Sequence, residues 1–188
     1  MKRTDSTRTV GSEPAVQIRA PAARDGAAVH SLIARCPPLD ANSLYCNLLQ
    51  CTHWADTSVL AERNGRIVGF TSGYLIPGRD DTLFVWQVAV AAQARGIGLA
   101  SRMLDALLER EACQHVTHLE TTITPDNAGS WALFRRFAER RGAQLEEAPM
   151  FDRERHFGGG HDTEVLARIG PFAPSGHQEL STHTRKSA

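Results

Sequence analysis

The feature that most constrains this chain is a glycine-containing turn between a buried-type strand and an amphipathic helix. Residues 83–90 are almost wholly apolar, as in a central strand covered on both faces. Gln93-Ala94-Arg95-Gly96-Ile97-Gly98 follows, and from Leu99 onward apolar residues recur at helical spacing. The start of such a helix leaves backbone N–H groups unpaired and carries partial positive charge. The pattern predicts a pyrophosphate site, although a strand-to-helix turn without a ligand also fits the two glycines.

Strand and helix patterns alternate along the rest of the chain. Strands are predicted at residues 16–19, 58–62, 66–76, 83–90, 116–123, 143–151 and 164–169, and helices at 25–36, 42–50, from 99 through 113, and from 126 to 142. Asn64-Gly65 suits a type I′ hairpin turn between the second and third strands. Residues 77–81 are predicted to interrupt the strand pattern, Asp126 to N-cap the last helix and Gly142 to close it.

Composition narrows the classes of function. The 21 basic and 21 acidic residues cancel, so no broad positive field is expected for nucleic acid or an anionic membrane. No apolar run resembles a signal peptide or a membrane span, which predicts a cytoplasmic protein. Residues 1–14 and 173–188 are predicted disordered tails around a folded domain at 15–172. The irregularly spaced cysteines predict reduced thiols, and the scattered histidines predict no metal.

The turn and its surroundings resemble the GCN5-related N-acetyltransferase (GNAT) family, whose signature is Q/R-x-x-G-x-G/A. The resemblance implies a single α/β (α+β) domain, with a central mixed, mostly antiparallel, twisted sheet of about six to seven strands and about four helices. It also implies acetyl-CoA as co-substrate, with the pyrophosphate on residues 94–100 and the pantetheine arm beside the preceding strand. The implied cofactor-binding residues are Val88, Val90, Gln93, Ala94, Arg95, Gly96, Ile97, Gly98, Leu99, Ala100, Asn127 and Phe134.

Four separate motifs resemble, more narrowly, the L-2,4-diaminobutyrate acetyltransferase branch of that family. They are PLDANSLY at 38–45, FVWQVAV at 84–90, ETTITPDN at 120–127 and IGPF at 169–172. The likeness runs from about Ile18 to Phe172. It implies acetyl transfer to the 4-amino group of diaminobutyrate, which leads to ectoine. It also implies a homodimer, for which Trp54 and the C-terminal strands are interface candidates.

An alkyl ammonium acceptor must lose a proton before it attacks a thioester. With a pKa of about 10, only about one part in a thousand is neutral at pH 7, which adds roughly 4 kcal/mol to the barrier. The site therefore needs a proton acceptor, and a diamino acid also calls for acidic side chains and aromatic walls. The substrate-binding candidates are Asp40, Asn42, Tyr45, Trp86, Thr121 and Glu164, and the catalytic candidates are Glu120, Tyr45 and His161.

Glu120 is the leading candidate for the base, because a charge within a strand is unusual unless it reaches a cleft. His161 could relay a proton, and Glu164 could hold an ammonium group. Simpler interpretations remain open: an N-cap for Asp40, core packing for Trp86, an exposed strand face for Glu120 and a solvated loop for the other two. Their sequence positions alone do not decide between these roles.

Phe134 stands where the family often has a tyrosine that protonates the leaving thiolate. Phenylalanine cannot donate a proton, which leaves Tyr45 or water as the acid. Two other functions stay open at this point. One is a GNAT enzyme that acts on a polyamine, an aminoglycoside or a protein N-terminus; the other is a non-catalytic acetyl-CoA sensor.

Overall fold

The computed structural model describes residues 15–175 and folds them into one seven-stranded sheet with five α-helices. The strands are β1 (Gln17–Arg19), β2 (Ser58–Arg63), β3 (Arg66–Ile76), β4 (Arg79–Val90), β5 (His118–Ile123), β6 (Gln144–Phe151) and β7 (Glu164–Gly170). The helices are α1 (Gly26–Ile33), α2 (Leu44–Gln50), α3 (Leu99–Leu108), α4 (Ala128–Arg141) and α5 (Arg153–Phe157). The predicted disordered tails lie outside the described residues, apart from 173–175.

The sheet has the order β1-β2-β3-β4-β5-β7-β6, and only β4 and β5 run parallel to each other. The expected mixed, mostly antiparallel sheet is confirmed. The parallel pairing is short, because it joins only residues 82–84 of β4 to residues 118–120 of β5. Both strands continue beyond it, β4 to Val90 and β5 to Ile123. The two strands therefore separate, and this split is the central opening of the molecule.

The core lies on both sides of β3, whose residues 68–73 are all buried. Helices α1 and α3 both contact β3, while α4 contacts α3 and β6. On one side Gly69 and Thr71 face Met103 of α3, and the fully buried Phe70 points the opposite way because side chains alternate along a strand. The backbone of Asn64 and Gly65 has φ of 54° and 69°, which confirms the predicted hairpin turn.

Several predicted boundaries were wrong. Helix α3 ends at Leu108, so Cys113 lies in a separate 3-10 turn, where burial still makes it a packing residue. Asn127, rather than Asp126, caps α4, because the Asn127 side chain accepts a hydrogen bond from the Ser130 N–H.

The other differences concern the ends of elements. Residues 79–81 belong to β4, since the hairpin needs only Pro77 and Gly78 to reverse the chain. Helix α1 ends at Ile33, short of the predicted residue 36. Helix α5 was not predicted, because five residues are too few for a helical period to be visible.

Candidate active site

A turn that contains two glycines connects β4 to α3. A 3-10 turn at Ala92–Ala94 leads into Gly96 and Gly98, whose φ angles of 79° and 73° lie in the left-handed region. Gly98 is the N-cap of α3, and among residues 15–175 no side chain caps the helix. A Cβ atom added at either glycine would meet nothing within 4 Å, so the space outside the turn is open. The first N–H groups of α3 are thus accessible to an anion.

The backbone of β4 faces the split at alternate residues. The Val90 carbonyl accepts hydrogen bonds from the Cys36 thiol at 3.5 Å and from Arg95 Nε at 3.1 Å, so it lies outside the ladder with β3. Backbone groups two residues apart point the same way along a strand. Val88 pairs with Thr71, and the register is regular from there to Val90. The N–H and C=O of Val88 therefore face the split as well.

A cleft of about 700 Å³, named the donor cleft, follows this turn and strand. The predicted cofactor residues that line it are Val88, Val90, Ala94, Arg95, Gly96, Gly98, Leu99, Ala100 and Asn127. Gln93 and Ile97 do not line it, and Ile97 is 52% exposed. Phe134 is buried in the wall of the neighbouring pocket. The sequence did not single out Arg136, although Ala128, Ala132 and Arg136 share one face of α4 and line the cleft together.

A second cavity of about 540 Å³, named the acceptor pocket, adjoins the donor cleft. The predicted residues that line it are Asp40, Asn42, Trp86, Thr121, His161 and Glu164. Tyr45 does not line the pocket and is 70% exposed at the start of α2. The sequence did not single out the lining residues Phe151, His156 and Phe157.

His161 lies between two carboxylates in this pocket. Its Nε2 is 3.5 Å from Asp40 Oδ2 and 3.8 Å from Glu164 Oε1. Its Nδ1 is 2.7 Å from the carbonyl of Asp162, and because a carbonyl only accepts, Nδ1 carries the proton. This hydrogen bond, together with the charges of Asp40 and Glu164, raises the pKa of the His161 imidazole. In the neutral ring, Nε2 is left with a lone pair facing the two acids.

Glu120 is held by two arginines. Arg79 binds its carboxylate with both terminal nitrogens, at 2.8 and 2.9 Å, and Arg168 donates to the same carboxylate from β7. Burial alone would raise the pKa of this carboxyl, but the hydrogen bonds and charges of Arg79 and Arg168 hold it below its usual value. Glu120 does not line the acceptor pocket. This geometry disfavours Glu120 as the base and gives it a structural role where β4, β5 and β7 meet.

The loop that carries Asp40 is attached to β4 by Gln87. Asn42 Nδ2 donates to Gln87 Oε1 at 3.0 Å, and Gln87 Nε2 donates to the Asp40 carbonyl at 3.1 Å. The amide of Asn42 is therefore engaged in holding the loop. Gln87 was the single polar residue in the apolar strand pattern, and its burial now has a reason.

Trp86 occupies an irregular position of β4. Ser72 pairs with Gln87 and Gly73 pairs with Val85, so Trp86 has no partner in β3. Such a bulge redirects a side chain. The ring of Trp86 lines the acceptor pocket and remains 41% exposed, with its centroid 5.5 Å from that of Trp54. It is thus a wall of the pocket rather than a core residue.

The donor cleft and the acceptor pocket meet at the split. They share the lining residues Pro38, Leu39, Val88, Asn127 and Ser130. Within residues 15–175, no three His, Cys, Asp or Glu side chains are grouped closely enough to hold a metal ion. None of the helices in that part of the chain has both the length and the apolar character needed to span a bilayer.

Comparison with known proteins gives consistent results. The Acetyltransferase (GNAT) family matches residues 27–138. The L-2,4-diaminobutyric acid acetyltransferase of Methylotuvimicrobium alcaliphilum is 54% identical over 159 residues, which are 85% of this chain and 92% of that protein. The enzyme of the same name from Bordetella parapertussis is 54% identical over 161 residues, 85% of this chain and 87% of that protein.

A solved structure is also similar. The diaminobutyrate acetyltransferase of Paenibacillus lautus, in complex with its substrate L-2,4-diaminobutyric acid and coenzyme A, superposes with a TM-score of 0.82 at 41% identity. The match covers 85% of this chain and 96% of that one.

Proposed function

Because this chain belongs to the GNAT family and, within it, to the L-2,4-diaminobutyrate acetyltransferases, we propose that it transfers acetyl from acetyl-CoA to the 4-amino group of L-2,4-diaminobutyrate. The product is N4-acetyl-L-2,4-diaminobutyrate, the precursor that a separate synthase cyclises to ectoine. The protein is an acyltransferase, and acetyl-CoA is its co-substrate.

The observation that carries this proposal is the meeting of two unlike cavities at Val88. One cavity is built from a glycine turn and a helix start, with Arg95 and Arg136 in its lining, and suits a polyanionic cofactor. The other contains Asp40 and Glu164 and suits an ammonium group. An acyl donor and an amine bound in these cavities would meet where β4 and β5 separate.

The donor cleft fits coenzyme A in its backbone chemistry. Residues 94–100 would bind the pyrophosphate through the N–H groups at the start of α3, because no side chain occupies them. The backbone of Val88 and the N–H of Val90 would bind the amide groups of the pantetheine arm, since the Val90 carbonyl is already bonded to Cys36 and Arg95. Asn127 would lie beside the same arm from α4. When bound, the cofactor supplies an activated thioester.

His161 in the acceptor pocket removes the proton from the ammonium group. In its neutral form His161 presents a lone pair on Nε2, since its Nδ1 proton is held by the Asp162 carbonyl. Asp40 and Glu164 attract the ammonium group and stabilise the imidazolium that forms when Nε2 takes the proton. The N–H of Val88 is the donor available to the carbonyl oxygen of the thioester. Phe134 has no proton to donate and Tyr45 lies outside the pocket, so neither side chain supplies the acid for the leaving thiolate.

A homodimer in the cytoplasm is also part of the proposal. Large apolar side chains outside the acceptor pocket remain exposed at the surface, among them Leu44, Tyr45 and Met150, and burial against a second copy would remove them from water. The four cysteines are free thiols, which suits a reducing compartment. Sedimentation analysis across a concentration series tests the dimer.

An acceptor panel assayed by thiol release from acetyl-CoA tests the activity. Diaminobutyrate is expected to give the highest kcat/KM, well above those of spermidine, an aminoglycoside and a peptide with a free N-terminus. If one of those amines were turned over faster than diaminobutyrate, the acceptor assignment would be wrong. Tight binding of acetyl-CoA with no thiol release for any amine would instead indicate a sensor.

A further inference from the structure

Among the described residues that line it, the acceptor pocket has carboxylates that can bind ammonium groups but no arginine or lysine that can bind a carboxylate. A diamino acid nevertheless brings an α-carboxylate, and leaving that group without a donor would cost binding energy. If the proposed function is right, a neutral donor must face the substrate.

His156 has a ring orientation that makes it such a donor. The backbone N–H of Asp152 donates to His156 Nδ1 at 2.7 Å, so this nitrogen is an acceptor and carries no proton in the neutral ring. The proton must then be on Nε2. His156 lines the acceptor pocket, so its wall gains an N–H group.

The His156 ring belongs to the short helix α5, which is capped at both ends. The Asp152 side chain caps the helix by accepting from the N–H groups of Glu154 and Arg155, while its own N–H holds the imidazole. Gly158, with φ of 57°, ends the helix in the left-handed region. The ring of Phe151 packs edge-on against His156, at 5.8 Å between centroids. These contacts fix the tautomer and the position of the His156 ring.

The two imidazoles of the pocket have opposite tautomers. His161, whose ring lies 4.7 Å from that of Phe157, carries its proton on Nδ1 and offers a lone pair. His156 carries its proton on Nε2 and offers a donor. One ring suits an amine that must lose a proton, and the other suits an anion.

We propose that His156 Nε2–H binds the α-carboxylate of the substrate and makes the pocket select a diamino acid over the corresponding diamine. This inference rests on the proposed function, since it concerns the same pocket. The diagnostic competitor is 1,3-diaminopropane, which is diaminobutyrate without its carboxylate. A group that recognises the carboxylate affects one of these acceptors and not the other.

The test compares kcat/KM for both acceptors in the wild type and in His156→Ala. Loss of a hydrogen bond to a charged group predicts a fall of about 10- to 100-fold for diaminobutyrate. The value for 1,3-diaminopropane is expected to stay within about twofold. His156→Gln, which keeps an N–H donor, should recover part of the discrimination. His161→Ala is the matched control, because it should lower turnover of both acceptors and leave their ratio unchanged.

Equal losses for the two acceptors in His156→Ala would overturn the inference while leaving the proposed function intact. Failure of the wild type to acetylate diaminobutyrate would instead refute the proposed function. If His156→Ala does not fold, nitrogen-15 NMR of histidine-labelled wild-type protein decides. A proton on Nδ1 of His156, or ring shifts unaffected by diaminobutyrate, would contradict the proposal.

Discussion

The donor cleft and the acceptor pocket meet at Val88, yet they are built differently. One wall of the donor cleft is a continuous stretch of chain, from β4 through the start of α3, whose turn contains two left-handed glycines, while residues 36–39 and 126–136 form the rest. The acceptor pocket consists of side chains from four separate parts of the chain, including Asp40, Trp86, Thr121 and His161. A backbone turn suits a cofactor that is always the same, whereas a pocket of side chains can be fitted to one amine.

The largest effect is expected from His161→Ala. Removal of the proton acceptor should lower kcat for diaminobutyrate by about 10²- to 10⁴-fold. The dissociation constant of coenzyme A, measured by calorimetry, should not change, because His161 does not line the donor cleft. In the wild type, turnover should rise as the pH increases through a pKa above about 6.5, since only neutral His161 accepts a proton. A variant that keeps more than a third of the wild-type kcat would exclude His161 as the base.

Substitution of Gly98 should affect the binding of acetyl-CoA rather than the turnover of diaminobutyrate. In Gly98→Ala the left-handed backbone costs about 1–2 kcal/mol, so the turn shifts and KM for acetyl-CoA should rise about 5- to 30-fold. KM for diaminobutyrate should change little. Gly142→Ala is the matched control: Gly142 is also left-handed, at φ of 61°, but lines neither cavity. If both variants raised KM for acetyl-CoA equally, the turn would have no special part in binding.

Glu120→Gln should lower stability rather than directly reduce catalysis. Arg79 and Arg168 would lose a charged partner, and a loss of about 1–3 kcal/mol in the free energy of unfolding is expected, since both guanidinium groups are partly exposed. Because folding lowers the pKa of Glu120, its stabilisation is present above the unfolded value of about 4.3 and disappears as the pH falls through the folded value. Urea titrations of both proteins at pH 7 and below pH 4 measure this difference. A stable variant with kcat reduced 100-fold would restore Glu120 as the candidate base.

The smallest change in stability is expected from substitution of Asn127, which lines both the donor cleft and the acceptor pocket. Asn127→Ala removes the N-cap of α4 and should cost about 1 kcal/mol of stability, measured as a shift in the urea midpoint. Asn127→Ser keeps a capping oxygen and should recover most of it. Ser43→Ala removes the equivalent cap of α2 and serves as the control for a cap that lines neither cavity. A rise in KM for acetyl-CoA with Asn127→Ala but not with Ser43→Ala would connect this wall to cofactor binding.

The difference between the two regions also explains what the sequence could predict. The strand, the glycine turn and the helix lie next to each other in the chain, so local patterns were sufficient to predict this wall of the donor cleft. The same holds for the hairpin turn at Asn64 and Gly65 and for the end of α4 at Gly142. The motif is a continuous run of residues and does not show which side chains face the cleft. Gln93 and Ile97 were therefore predicted as cofactor-binding residues but do not line the cleft.

The acceptor pocket could be predicted only in part. Glu120 was chosen because a charge in a strand is unusual, but its partners Arg79 and Arg168 are 41 and 48 residues away. No local pattern connects them. His156 was missed because its proposed role as a donor depends on its tautomer. The backbone N–H of Asp152, four residues earlier, sets that tautomer, and the helix is too short to predict. Long-range pairing and proton position are properties of the folded chain.

The most direct test of the account is the position of the acetyl group in the product. Diaminobutyrate and acetyl-CoA would be incubated with the full chain, and the product examined by proton NMR. An acetyl on the 4-nitrogen, seen as a downfield shift of the C4 methylene protons and their coupling to an amide proton, is the predicted result. An acetyl on the 2-nitrogen, or no acetylated diaminobutyrate while another amine is acetylated, would contradict the assignment of the acceptor pocket.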